Sequence, residues 1–205
     1  MTLPASEALQ RLIEGNRRFA SGTATVHPAH RTRPEDTVEK QEPFAIVLGC
    51  SDSRVPAEIV FDQGLGDLFV IRVAGNIVAP SQVGSVEFAA NFGTRLVVVL
   101  GHTRCGAVLA TINELKRGRG GESRNLRSIV DRVRPAVEPL YETHPDGGDF
   151  EDLWRRAARA NTRASVSQLR HGSQILEELI ERDGLMVVGA EYSLETGEVD
   201  FFDRP

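Results

Sequence analysis

Three short runs, FAIVLG at Phe44–Gly49, LVVVL at Leu96–Leu100 and LMVVGAEY at Leu185–Tyr192, are apolar with almost no polar alternation. A strand with one wet face alternates apolar and polar residues. These runs do not, so the strands they predict must be covered on both sides. Leu68–Val73 adds another β-branched run, and segments of helical character separate all four. Strands alternating with helices predict an α/β fold with a largely parallel central sheet flanked by helices.

The intervening segments fill in the pattern. Residues 5–20 carry Leu9, Leu12 and Ile13 at helical spacing and predict an amphipathic N-terminal helix. Residues 21–43, rich in Pro, Thr, His and charge, predict an extended arm. Glu58–Gln63 predicts a short helix ended by Gly64 and Gly66, and Val83–Phe92 a helix burying Val86, Phe88 and Ala89. A helix follows Cys105 to about Leu115, and Lys116–Arg124 reads as a flexible basic loop. Helices over 125–142 and 150–170 come next, and another runs from near Ser173 to Asp183-Gly184. The last strand turns at Glu195-Thr196-Gly197 into EVDFF, a C-terminal antiparallel edge hairpin. With 205 residues and no composition break, residues 1–205 read as one domain, with 1–43 as N-terminal helix and arm.

A net charge of −5 argues against nucleic acid or an anionic membrane as partner, since both need a basic field. The opening MTLPASEALQ has neither the basic segment nor the apolar core of a secretory signal. No apolar run reaches the ~18 residues of a membrane span. A cytoplasmic location is the expectation.

Both cysteines of the chain stand just after a predicted strand. AIVLGCSDSR delivers Cys50, Asp52 and Arg54, and VVVLGHTRCG delivers His102 and Cys105. Parallel sheets gather ligands at the C-terminal ends of their strands. If these two strands are neighbours, Cys50, His102 and Cys105 converge there. The His-x-x-Cys spacing places His102 and Cys105 about one turn apart at the start of a helix, whose N-terminus should favour the Cys105 thiolate. Thiolate plus imidazole is a ligand set for Zn²⁺. Two simpler readings compete: a pair of small buried core cysteines beside a surface His, or a Cys50–Cys105 disulfide. Asp52 can either bind the metal or pair with Arg54; the plain alternative is a solvated charge pair. Two thiolates and one His leave a fourth zinc position open, as in catalytic sites. A carboxylate beside it would orient a water, and an Arg would keep that carboxylate ionised.

Other signals are weak. GLGDLF at Gly64 lacks a third glycine and precedes a strand. GRGGESR has no Walker lysine, and no G-x-S-x-G supports Ser51 or Ser53 as a nucleophile. His27, His30, His144 and His171 read as solvated, and Trp154 as helix packing.

The stretch CSDSRVPAEIVFDQGLGDLFVIRVAGN followed by GHTRCGAV resembles the β-class carbonic anhydrases, and the likeness runs from the N-terminal helix to VGAEYSLETGEV. CxDxR with HxxC is a specific pair of motifs. The resemblance implies zinc ligands at Cys50, His102 and Cys105, with Asp52 a possible fourth ligand in a closed state. It implies an Asp52–Arg54 catalytic dyad orienting a zinc-bound hydroxide that attacks CO₂. Substrate-binding positions fall on Gln41, acting across a dimer interface, on the backbone N–H of Gly106, and on Phe69 in an aromatic wall. Phe88 stands where some relatives carry a pocket Tyr. The implied assembly is a homodimer or dimer of dimers. Some relatives hold a regulatory bicarbonate between a Trp, an Arg and a Tyr; here the Trp position is Val47, while Arg72 and Tyr192 match the others. An open zinc near neutral pH without cooperative bicarbonate inhibition follows as an expectation. Hydrolysis of a CO₂ analogue such as carbonyl sulfide or carbon disulfide is the alternative activity, and a closed structural zinc or redox-sensing site the non-enzymatic one.

Overall fold

The unalternating runs form the middle of one sheet. In the computed structural model, which describes residues 3–24, 38–118, 123–145 and 147–203, β1 (Ala45–Gly49) and β3 (Leu96–His102) are buried along their whole length. β4 (Met186–Tyr192) is nearly so. β2 (Leu68–Arg72) forms one edge and β5 (Val199–Asp203) the other, in the order β2-β1-β3-β4-β5. The first four strands are mutually parallel and β5 runs antiparallel to β4, as the terminal hairpin predicts.

Alternate side chains of each strand face opposite layers. Val47, Val98, Val188 and Ala190 pack with Leu9 and Leu12 of α1 (Ala5–Ala20) and with Phe61, just past α2 (Ala57–Val60). Ile46, Leu48, Val97 and Val99 pack with Val86 of α3 (Pro80–Ala90), Val166 and Leu169 of α6 (Phe150–His171), and Leu176 of α7 (Gln174–Arg182). A third cluster includes Cys50 and Cys105. There Val108 and Ile112 of α4 (Gly106–Arg117), Val133 and Val137 of α5 (Arg124–Glu142), and Leu153 of α6 close over the two cysteines. Ser123, Asp149 and Ser173 cap α5, α6 and α7 by accepting backbone N–H bonds.

The N-terminal helix packs on its own chain. Asn16 donates to the carbonyls of Val60 and Gly197 at 3.1 and 2.9 Å and accepts from Val199 N–H at 2.8 Å, tying α1 to α2 and to β5. A methyl group at Gly15 would lie 1.9 Å from the Phe61 carbonyl oxygen, so the two backbones meet there with no side chain between them. Residues 25–37 of the arm, with His27 and His30, lie outside the described residues.

The structure corrects several expectations. α3 begins at Pro80, whose fixed φ suits a first helical position, and not at Val83. Its buried stripe is Val86, Ala89 and Ala90; Phe88 falls outside that stripe and is 53% exposed. The basic loop is shorter than expected, because Lys116 and Arg117 still belong to α4 and Arg124 already opens α5. His144 is half-buried against Gly148, whereas His171 is exposed as expected. Among the described residues no helix is long and apolar enough to cross a membrane.

Candidate metal centre

Neighbouring strands β1 and β3 each carry a glycine at their C-terminal end, Gly49 and Gly101, with Gly49 opposite Leu100. Cys50 directly follows β1, His102 ends β3, and Cys105 is the N-cap residue of α4. Their Sγ and ring nitrogen atoms all lie within 4.8 Å of one another, and all three residues are buried. Both cysteines are free thiols, which sets aside the disulfide reading in this structure.

His102 carries the most informative atom. Its Nδ1 lies 2.8 Å from the Thr103 carbonyl and can only donate there, so the proton sits on Nδ1. Nε2 then keeps a lone pair. It is buried and has no hydrogen-bond partner. A buried, unpaired acceptor costs about 1–3 kcal/mol, unless something electron-poor takes it up. With two sulfurs beside it, the donor set fits a soft or borderline divalent metal, Zn²⁺ foremost. The carbonyl on Nδ1 is the second partner that orients metal-ligating histidines.

The two sulfurs settle on one proton. Cys50 is pulled down to about 4, first because the Cys105 thiol donates to it and also through the N–H groups of Gly75 and Asp52. The Gly75 N–H lies 3.4 Å from the sulfur. Cys105 is pushed up, first by that same shared proton and then by burial. The pull expected of the α4 N-terminus also acts on Cys105. The N–H groups of Ala107 and Val108 do act downward on Cys105, but they are outweighed.

Asp52 sits at the rim. Its Oδ2 is 3.9 Å from His102 Nε2. Arg54 holds both carboxylate oxygens, donating from Nε to Oδ1 at 2.9 Å and from Nη2 to Oδ2 at 2.8 Å, with its backbone N–H adding a 3.0 Å bond to Oδ1. This grip keeps the Asp52 carboxyl far below the usual carboxylate range. Of the two states open to Asp52, the geometry is the Arg54-paired one. Arg72 supports the same loop, donating to the carbonyls of Cys50 at 3.0 Å and Asp52 at 2.6 Å. Val47 is fully buried within β1 and Tyr192 is buried at the end of β4.

Of the remaining expected residues, Gly106 lies beside this cluster, while Phe69, Phe88 and Gln41 are not brought to it within one chain. Phe69 pairs with Ile46, four residues before Cys50, which at ~3.3 Å per residue sets it about 13 Å back along the sheet. Phe88 lies beside Phe69, with tilted rings 6.2 Å apart, and edge-on to Phe92 at 4.8 Å, away from the cluster. Gln41 is exposed ahead of β1, at the opposite end of the strand from Cys50. Gly106 opens α4 next to Cys105 and is exposed. Sequence reasoning missed Trp154 and Asn161 of α6, which donate to the Cys105 carbonyl and to the Gly75 carbonyl in the turn after β2.

A family model described as carbonic anhydrase matches residues 45–199. Carbonic anhydrase 2 of Mycobacterium tuberculosis (strain CDC 1551 / Oshkosh) is 37% identical over 204 residues, covering 96% of this chain and 92% of that protein. The carbonic anhydrase of Mycolicibacterium smegmatis is 37% identical over 195 residues, covering 94% and 91%. Among solved structures, the β-carbonic anhydrase CafA of Aspergillus fumigatus matches with a TM-score of 0.72 at 26% identity, covering 97% of this chain and 90% of that one. A Coccomyxa β-carbonic anhydrase in complex with acetazolamide matches with a TM-score of 0.73 at 26% identity, covering 95% and 86%.

Proposed function

The chain belongs to the β-carbonic anhydrase family, and from that premise we propose that it hydrates carbon dioxide reversibly, CO₂ + H₂O ⇌ HCO₃⁻ + H⁺, at a zinc ion held by Cys50, His102 and Cys105. The observation that carries the metal assignment is the buried His102 Nε2, partnerless and facing two sulfurs. Bound there, Zn²⁺ would act as a Lewis acid that makes a water nucleophilic near neutral pH. The rest falls to the chain's own groups. Asp52, kept ionised by Arg54, accepts a hydrogen bond from the attacking water and turns its oxygen lone pair toward CO₂. Arg54 also prevents Asp52 from taking the water's place. The Gly106 backbone N–H, at the start of α4, faces the substrate oxygen where negative charge grows. The proton leaves to solvent through the exposed rim.

The relatives above are named carbonic anhydrases, which favours CO₂ over a CO₂ analogue. Asp52 and Arg54 favour an enzyme over a closed structural site, since such a site has no use for an oriented carboxylate. A reducing, cytoplasmic setting is the reading that keeps both free thiols available as ligands. Stopped-flow CO₂ hydration, with and without prior removal of metal by dipicolinate, tests the activity. We expect fast hydration that disappears with the metal and returns with Zn²⁺. Hydration at the uncatalysed rate by zinc-loaded protein would overturn the reading.

We propose also that the protein works as a homodimer or dimer of dimers. The support is the edge of the sheet itself: Phe88 and Phe92 are exposed beside half-buried Phe69 on edge strand β2, a patch that a second copy would cover. Residues such as Gln41 and Phe69, remote from their own chain's cluster, could then serve the partner's pocket. Light scattering should give at least twice the 22.4 kDa chain mass. A fully active monomer would contradict the assembly.

A further inference from the structure

We propose that α6 is the clamp of the metal centre, with Trp154 and Asn161 as positioning residues for the Cys105 and Cys50 ligands; the proposal rests on the reading of Cys50, His102 and Cys105 as a metal site. Trp154, Asn161 and Ser165 recur at intervals of seven and four residues, so they share one face of α6. Each of the three donates to a backbone carbonyl in or beside a ligand loop.

Trp154 acts on the Cys105 side. Its indole N–H donates to the Cys105 carbonyl at 3.0 Å, and that carbonyl also accepts the Leu109 N–H in the first turn of α4. The preceding residue, Arg104, has φ +55°, a left-handed conformation that a non-glycine residue holds only when its surroundings impose it. The surroundings are visible. Thr103 N–H donates to the Tyr192 carbonyl, Thr103 Oγ1 accepts from Leu194 N–H and donates to Glu195, and Arg104 itself pairs with Glu195 at 3.2 Å. Trp154 holds the end of the same tight turn, where the ligand side chain departs.

Asn161 and Ser165 act on the Cys50 side. Gly75 and Asn76 both have positive φ, +72° and +42°, in a short turn after β2. Asn161 Nδ2 donates to the Gly75 carbonyl at 2.7 Å and Ser165 Oγ to the Asn76 carbonyl at 2.9 Å. With both carbonyls pinned, the Gly75 N–H is aimed at Cys50 Sγ, 3.4 Å away. An N–H on a ligating sulfur withdraws charge from it and fixes its direction. Asn161 is buried, so no water can substitute easily for its amide. The helix comes this close to β3 because Gly101, beside the ligand His102, has no side chain: a methyl there would meet Thr162 Oγ1 at 2.2 Å.

The test compares zinc affinity, by competition with a chelator, and the thiolate-to-metal charge-transfer band of the Co²⁺-loaded protein. Trp154→Phe keeps a ring against Phe150, 6.3 Å between centroids, and removes only the donor. Asn161→Leu keeps the volume and removes the amide. Val166→Ala, which weakens the sheet-facing side of α6 without touching either loop, is the control for general destabilisation. Loss of an outer partner of a metal ligand typically weakens binding ~10–100-fold. We expect about tenfold or more in Trp154→Phe and Asn161→Leu, with a shifted charge-transfer band, and neither change in Val166→Ala. If Trp154→Phe does not fold, Asn161→Leu decides. Variants that bind like wild type, or a control that changes as much as they do, would overturn the clamp alone. Wild-type protein that takes up neither Zn²⁺ nor Co²⁺ would overturn the metal centre, and the clamp with it.

Discussion

Cys50→Ser and His102→Ala should each purify with little or no zinc, against about one ion per wild-type chain, and should hydrate CO₂ no faster than water does. The serine hydroxyl stays protonated where the Cys50 sulfur is already close to a thiolate, held down to about 4 by its neighbours. A neutral hydroxyl is a poor zinc donor. His102→Ala deletes the buried ring nitrogen that faces the two sulfurs without a hydrogen-bond partner. Each change leaves two ligands, too few to retain the ion through purification. The fold should survive, because Cys50 packs in a broad apolar cluster with Ile77, Val108 and Leu153, which the substitutions leave in place. A ligand that binds only the folded state adds RT ln(1 + [L]/Kd), about 2.7 kcal/mol at a hundredfold excess over Kd. Both variants should therefore melt near the temperature of chelator-treated wild type and below the zinc-loaded form. Elemental analysis checks the zinc and thermal unfolding the stability. Full zinc retention in both variants would remove the assignment.

The sheet was legible because its central strands are apolar on both faces. A run such as Leu96–Leu100 can be buried only between two layers, and the helical segments on either side supply them. What the pattern could not supply was the end of β3, which continues through Gly101 and His102. Hydropathy falls at those residues although both are buried. Phe88 misled for the opposite reason: a large aromatic reads as core, yet α3 turns it outward beside the edge strand, where it is 53% exposed. A single chain's apolar pattern does not say whether a residue packs within that chain or on something else.

The site divided in the same way. The three donors and the Asp52–Arg54 pair are local in sequence to two strand ends, so motif spacing and a parallel sheet were enough to bring them together. The supports were out of reach. Trp154 looked like ordinary packing, and Arg72 like part of an anion pocket, while in the structure both donate to loop carbonyls. One signal for α6 was available. Its buried stripe holds Asn161, Thr162 and Ser165 among Ala157, Ala158, Val166 and Leu169, and polar groups on a buried stripe must find partners. The sequence names such residues but not the carbonyls they serve.

Asp52→Asn should keep its zinc and lose at least about a hundredfold in kcat/KM, the scale of a positioned proton acceptor. The amide has nearly the shape of the carboxylate, so the loop should hold, but one of its two atoms becomes a donor. It can no longer take the Arg54 fork on both atoms, and it carries no charge to orient a water. Arg54→Ala should also keep its zinc and fall by a similar factor, for a different reason. The wild-type guanidinium occupies both Asp52 oxygens while Oδ2 lies only 3.9 Å from His102 Nε2. Without the guanidinium, a short rotation can carry the carboxylate into the open metal position and close the site. Arg54→Lys separates the two functions. It restores a positive charge but not the bidentate fork, so it should recover part of the rate. The Co²⁺-loaded forms distinguish the causes: in Arg54→Ala the ligand-field spectrum should show a carboxylate in place of water, and in Asp52→Asn it should not. Near-native CO₂ hydration by both Asp52→Asn and Arg54→Ala would show that the pair only braces the loop behind Cys50.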